Sequence, residues 1–196
     1  VHAGATTPVT IVKLAQTGLA VDDEGDAAHA ARLAGCESTE FARFPLPADP
    51  WNAALDAGAK PLEASELAAR LATLDGALVV EGSGGAAVPL NERESIADVA
   101  ALARLPALLV VGLRLGCISH AVLTAEYLRG RGITLLGALL TERFAPVDAA
   151  YRAQVERALR GRMTVLGTLA HEQDLAHAVA QGAGILASIG DLVPRD

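Results

Sequence analysis

Residues 107–140 read ALLVVGLRLGCISHAVLTAEYLRGRGITLLGALL, and three segments stand out in them. Residues 107–112 are apolar or glycine throughout, the pattern of a strand covered on both faces in a parallel sheet. A turn at Gly116-Cys117 leads into a predicted helix over 119–129, and 133–140 reads as a second strand. Two strands joined by a helix within about 30 residues form a crossover unit, which connects parallel strands.

The same alternation runs outward in both directions. Downstream, a helix is predicted over 148–160, a short strand over 163–166 and a final helix over 172–180. Upstream, VTIVK (9–13) reads as a buried strand and DAAHAARLA (26–34) as a helix, capped by Asp26 and stopped at Gly35. Residues 36–62, rich in proline and with little periodicity, read as a long, partly irregular connection. A helix over 65–74 with Ser65 as its cap follows, then a strand over 76–81 that runs into Gly82-Ser83-Gly84-Gly85. Ser95 and Asp98 have the capping-box layout for a helix reaching about residue 104. The expected fold is α/β: one domain over residues 1–196, with a mostly parallel sheet and helices on both faces.

Charge narrows the function. Sixteen basic against 23 acidic residues give a net charge of −7, with no basic run, which argues against nucleic acid or an anionic membrane as partner. The longest apolar stretch, 105–113, is closed by Arg104 and Arg114, far short of the roughly 18 residues of a membrane span. No signal peptide opens the chain. Cys36 and Cys117 lie far apart with no ligand-spaced Cys or His beside them, so a reducing cytoplasm fits better than a disulfide framework or a zinc site.

Ligands of open parallel sheets bind beyond the carboxyl ends of the strands. Four stretches lie there: KLAQTG (13–18), EGSGG (81–85), GCISH (116–120) and Thr141-Glu142. Lys13, one of only two lysines, either brings a cation to a phosphate or carboxylate or lays its stem along the sheet. Thr17, just before Gly18, offers a hydroxyl to the same ligand. Glu81 follows four apolar residues and precedes glycines, where an ionised carboxylate needs a cation such as magnesium or several donors. Asp26 is read as a helix cap that can also face a metal. Residues 116–119 open a helix, whose free amides suit a ligand carboxylate. No base accompanies Cys117, so it is not read as a nucleophile, and His120 is read as structural.

Four segments, VKLAQTG (12–18), GDAAHAARL (25–33), VVEGSGG (79–85) and VVGLRLGCISHAVLTAEYLRGRGITLLG (110–137), together resemble the dethiobiotin synthase family, over about residues 9–140. The resemblance implies a P-loop NTPase-like fold in a cytoplasmic enzyme. It implies that the enzyme uses ATP to close the ureido ring of dethiobiotin from 7,8-diaminononanoate and CO2, through a carbamate and a carbamic-phosphoric anhydride. Lys13 would be the catalytic lysine and Thr17 would contact the diamine. Asp26 and Glu81 would hold Mg2+ and approach the ATP phosphates, with Gly82, Ser83 and Gly84 lining the nucleotide site. Gly116, Cys117, Ile118 and Ser119 would receive the substrate carboxylate, reaching across from the partner of a homodimer.

The departures are specific. The family opens with a strand, a G-x-x-x-x-G-K-[ST] loop and a helix, and this sequence contains no such motif. The first strand, P-loop and helix are therefore expected to be absent, the chain N-terminally truncated, its activity impaired and an apolar sheet edge exposed. Leu14 stands in place of a proline. Thr141-Glu142 stands in place of the Asn-Asp pair that reads the base, so no base-reading residue carries over. Two other readings are a non-catalytic paralogue serving as a dimerisation or regulatory module, and another P-loop ATPase of the cobyrinate-amidating or cell-division group.

Overall fold

The β-branched run VTIVK forms β1 (Val9–Lys13), the middle strand of a three-stranded parallel sheet in the computed structural model. The structure describes residues 8–143, 145–172 and 174–186, in two compact units, Val1–Ala103 and Arg104–Asp196, which are taken in turn. In the first unit β1 lies between β3 (Glu37–Glu40) and β5 (Ala77–Glu81), and its register sets Lys13 beside both Glu40 and Glu81. Between these elements lie β2 (Gln16–Thr17), which pairs with β4 (Arg43–Phe44), and α1 (Asp26–Ala34). Helices α2 (Pro50–Asp56), α3 (Ala64–Leu71) and α4 (Ile96–Leu102) complete the unit.

Each helix has a local cause. Ala27 and Ala31 of α1 are buried, one turn apart on a single face, and Gly35 ends the helix in the left-handed conformation (φ 67°). Asp49 caps α2 by accepting the Asn52 N–H, with Pro50 in the first turn, where its missing donor is not needed. At α4 the Asp98 carboxylate accepts the Ser95 N–H at 2.7 Å, closing the expected capping box.

Residues 36–62 are partly irregular, as expected, with β3, β4 and α2 within them. Two expectations in this unit need correction. Asp26 is the first residue of α1 and not its cap. Gly25 is the cap, with no side-chain bond, which frees the Asp26 carboxylate for other work. The third helix begins at Ala64 behind Glu63, so Ser65 does not cap it.

The second unit is built on β6 (Ala107–Gly112), β7 (Leu135–Thr141) and β8 (Val165–Leu169), parallel in that order. Helices α5 (Cys117–Arg129), α6 (Ala149–Arg160) and α7 (Leu175–Leu186) alternate with them. Small residues of α5, Cys117, Ala121 and Ala125, recur every fourth position and pack with Val111, Leu140, Val155 and Leu159 in the core of the unit. Asp148 caps α6 by accepting the Ala150 and Tyr151 N–H groups. The helix over 119–129 begins two residues earlier than expected, at Cys117, and the last helix starts later and runs to Leu186.

The expectation that residues 107–112 are covered on both faces also fails. As the edge strand of its sheet, β6 buries Val111 but leaves Val110 60% exposed. In the first unit the edge strand β5 leaves Val79 56% exposed, so apolar side chains are open along sheet edges, as expected.

Candidate active site

The sequence of the first unit converges on the Lys13 ammonium. Its Nζ lies 2.8 Å from Asp26 Oδ2 and 3.2 Å from Glu81 Oε2. The lysine side chain is only 5% exposed, whereas those of Asp26 and Glu81 are 55% and 60% exposed. A buried cation thus forms the floor and two carboxylates face solvent above it. Three separate elements deliver them: β1 brings Lys13, β5 brings Glu81 in direct register with it, and the first turn of α1 brings Asp26.

Backbone bonds fix the stretch after Lys13. The Leu14 N–H donates to the Glu81 carbonyl, the Phe41 N–H to that of Lys13 and the Gln16 N–H to that of Ala42. Thr17 Oγ1 and Ser83 Oγ are hydrogen-bonded at 2.9 Å, joining KLAQTG to EGSGG. Gly82 serves packing in particular. A Cβ there would lie 2.6 Å from Ile96 Cγ2, so only glycine lets α4 sit against the loop. Gly84 has a positive φ (81°), which turns the chain after Ser83.

Electrostatically the cluster is one charge short of neutral. Hydrogen bonding to the Lys13 ammonium holds the Asp26 carboxyl below its usual range, against the opposing effect of partial burial. Gln16 and Arg43 lower it further. Two carboxylates against one ammonium leave a net negative charge of hard oxygen donors. That suits Mg2+, which is held by one or two carboxylates while substrate phosphates and water complete its shell. Among the described residues no group of three or more His, Cys, Asp or Glu is placed to hold a metal ion.

The remaining expected residues lie in the second unit. Gly116 (φ 89°) caps α5. The Cys117 N–H donates to the Arg114 carbonyl, which leaves the Ile118 and Ser119 amides as those the helix offers outward. The Cys117 thiol is buried, 3.7 Å from the Tyr151 hydroxyl, and Tyr151 donates to the Arg114 carbonyl at 2.6 Å. Glu142 is buried and engaged: it accepts Arg152 Nη1 at 2.9 Å and the His171 N–H at 3.1 Å. Of the residues around Lys13, sequence reading missed Gln16, Glu40 and Arg43. Arg43 alone gave a sign, as a charge inside the otherwise apolar run 41–44, whereas Gln16 and Glu40 stand among other polar residues.

Residues 3–179 match the AAA domain family. An ATP-dependent dethiobiotin synthetase BioD of Saccharopolyspora erythraea is 38% identical over 76% of this chain and 68% of its own length. The chain belongs to this synthetase family. The BioD of Streptomyces coelicolor is 42% identical over 78% of the chain and 66% of its own length. That of Frankia casuarinae is 34% identical over 92% of the chain and 74% of its own length. The chain thus spans about two thirds to three quarters of these synthetases. In fold it is similar to the septum site-determining protein MinD of Pyrococcus horikoshii OT3, solved in complex with Mg-ADP. The two superpose with a TM-score of 0.50 at 18% identity, over 90% of this chain and 74% of that one. Together with the AAA domain match, this likeness shows an α/β, P-loop NTPase-like fold. No described helix is long and apolar enough to cross a membrane.

Proposed function

We propose that this protein catalyses the ATP-dependent closure of the dethiobiotin ureido ring from 7,8-diaminononanoate and CO2, a ligase step of biotin biosynthesis. Membership of the synthetase family supports the reaction, and the Lys13 ammonium between Asp26 and Glu81 is the single observation that carries the site. One substrate amine adds to CO2 and loses a proton to form a carbamate, whose oxygen takes the γ-phosphoryl group of ATP as ADP leaves. The second amine then attacks the mixed anhydride, closing the ring and releasing phosphate.

Charge accumulates at the carbamate and the transferring phosphoryl group, so the protein's task is positioning and charge stabilisation. Lys13 is the catalytic residue, its buried ammonium neutralising that charge where water screens it little. Asp26 and Glu81 hold Mg2+, which when bound neutralises phosphate oxygens. Gly82, Ser83 and Gly84 line the nucleotide site. Thr17 contacts the diamine, and its bond to Ser83 keeps the diamine and nucleotide loops in step.

The 116–119 turn of a partner subunit takes the substrate carboxylate through its Ile118 and Ser119 amides, with Gly116 and Cys117 shaping the turn, in a homodimer. Supporting that arrangement, Leu115 is 92% exposed just ahead of α5, and Leu123 is exposed on the helix itself. The reading treats both units as parts of one α/β domain and places the protein in the cytoplasm, in keeping with free Cys36 and Cys117.

The test supplies the purified full-length protein with the diamine, labelled bicarbonate and Mg-ATP. One label should enter a product of dethiobiotin mass for each phosphate released. Phosphate release without label incorporation would contradict the reading.

A further inference from the structure

Lys13 has a glutamate in register on each side, Glu81 on β5 and Glu40 on β3, yet Glu40 is engaged elsewhere. Its two oxygens accept Arg43 Nε at 2.7 Å and Nη2 at 2.9 Å, a bidentate clasp that is mostly shielded from solvent. The remaining nitrogen, Nη1, donates to two backbone carbonyls, Ala20 at 2.6 Å and Asp23 at 2.9 Å. Those carbonyls belong to the loop that leads directly into α1.

The fit around this clasp is close. A Cβ at buried Gly25 would lie 2.7 Å from both Arg43 Nη2 and Glu40 Oε2, so any larger residue there would have to displace the clasp. The Asp26 N–H, next along, donates to the buried Gln16 side chain at 3.0 Å. Gln16 and Arg43 are themselves carried by the paired strands β2 and β4.

We propose that Arg43 is a positioning residue of this site: clasped by Glu40, it anchors loop 20–25 so that α1 presents Asp26 to the Lys13 ammonium and the metal. The clasp also occupies Glu40, which would otherwise compete for Lys13 from the opposite side. A lysine cannot reproduce this, because it lacks the planar fork that spans a carboxylate and two carbonyls together. The inference rests on the reading of Asp26 as a metal ligand.

The experiment compares Arg43→Lys, Glu40→Gln and Asp26→Asn with the wild-type protein. It reads amide hydrogen exchange, Mn2+ binding by electron paramagnetic resonance in the presence of ATP, and the Mg2+ dependence of turnover. In Arg43→Lys, exchange at Ala20, Asp23 and Asp26 should quicken about tenfold while the β1 amides keep their protection. Half-saturating Mn2+ and Mg2+ should rise about tenfold, with the rate at saturating Mg2+ within about threefold of wild type. Glu40→Gln, which keeps the shape of the clasp, should shift both readouts in the same direction. Loop amides exchanging at the wild-type rate would overturn the proposal. So would Mn2+ binding that weakens in Asp26→Asn but not in Arg43→Lys. Mn2+ binding unchanged in Asp26→Asn would instead show that the metal reading itself is wrong, and would remove the proposal's basis.

Discussion

At the scale of single residues, the Lys13–Asp26 pair makes a signed prediction about pH. The Lys13 hydrogen bond holds the folded-state carboxyl of Asp26 below its ordinary value of about 3.9. A depressed carboxyl stabilises the fold above its unfolded value, and that contribution fades as pH falls through the folded one. Asp26→Asn should therefore cost more stability at pH 5.5 than at pH 3, measured by urea unfolding. Because Asp26 is half exposed, solvent screens the effect and it stays small. An equal loss at both pH values would contradict the assignment. Glu24 marks a contrast: Arg32 first, and then His29, lower its carboxyl pKa to about 2, but it lies at the open surface outside the Lys13 cluster.

At the scale of elements, Gly82 and α4 form a testable joint. Gly82→Ala places a methyl 2.6 Å from Ile96 Cγ2, an overpacking expected to cost about 1–3 kcal/mol. Ile96→Ala removes Cγ2, so the double variant should recover part of the loss. Thermal unfolding that shows strict additivity would contradict a direct clash.

The same scale shows what local pattern carries. β1 and β6 were legible to the residue, because apolar runs bounded by polar or glycine residues need no distant partner to be recognised. β3 (ESTE) and β4 (RF) were not, because their pairing comes from neighbours distant in sequence and their side chains are largely polar. Lys13, Asp26 and Glu81 could be named because each stands out at a strand or helix terminus. Arg43 could not. It acts through backbone carbonyls 20 and 23 positions away, and such groups carry no side-chain signature in a sequence.

At the scale of the molecule, each unit has a parallel sheet with an apolar residue open on an edge strand, Val79 on β5 and Val110 on β6. Exposed edges promote association, and charged side chains suppress it. Val79→Lys and Val110→Lys should each slow heat-induced turbidity of the 196-residue chain, and unchanged aggregation would contradict the edge as its cause. The same chain contains no G-x-x-x-x-G-K-[ST] cradle, so by calorimetry it should bind ATP only in roughly the millimolar range. Micromolar binding would show that the Lys13 cluster and its loops hold phosphate on their own. The account as a whole depends on Lys13, and its most direct measurement is diamine- and bicarbonate-dependent phosphate release by full-length wild type and Lys13→Ala, with thermal unfolding alongside. We predict that turnover falls by at least about 100-fold while the variant remains folded. A folded variant that turns over within about threefold of wild type would contradict the central claim.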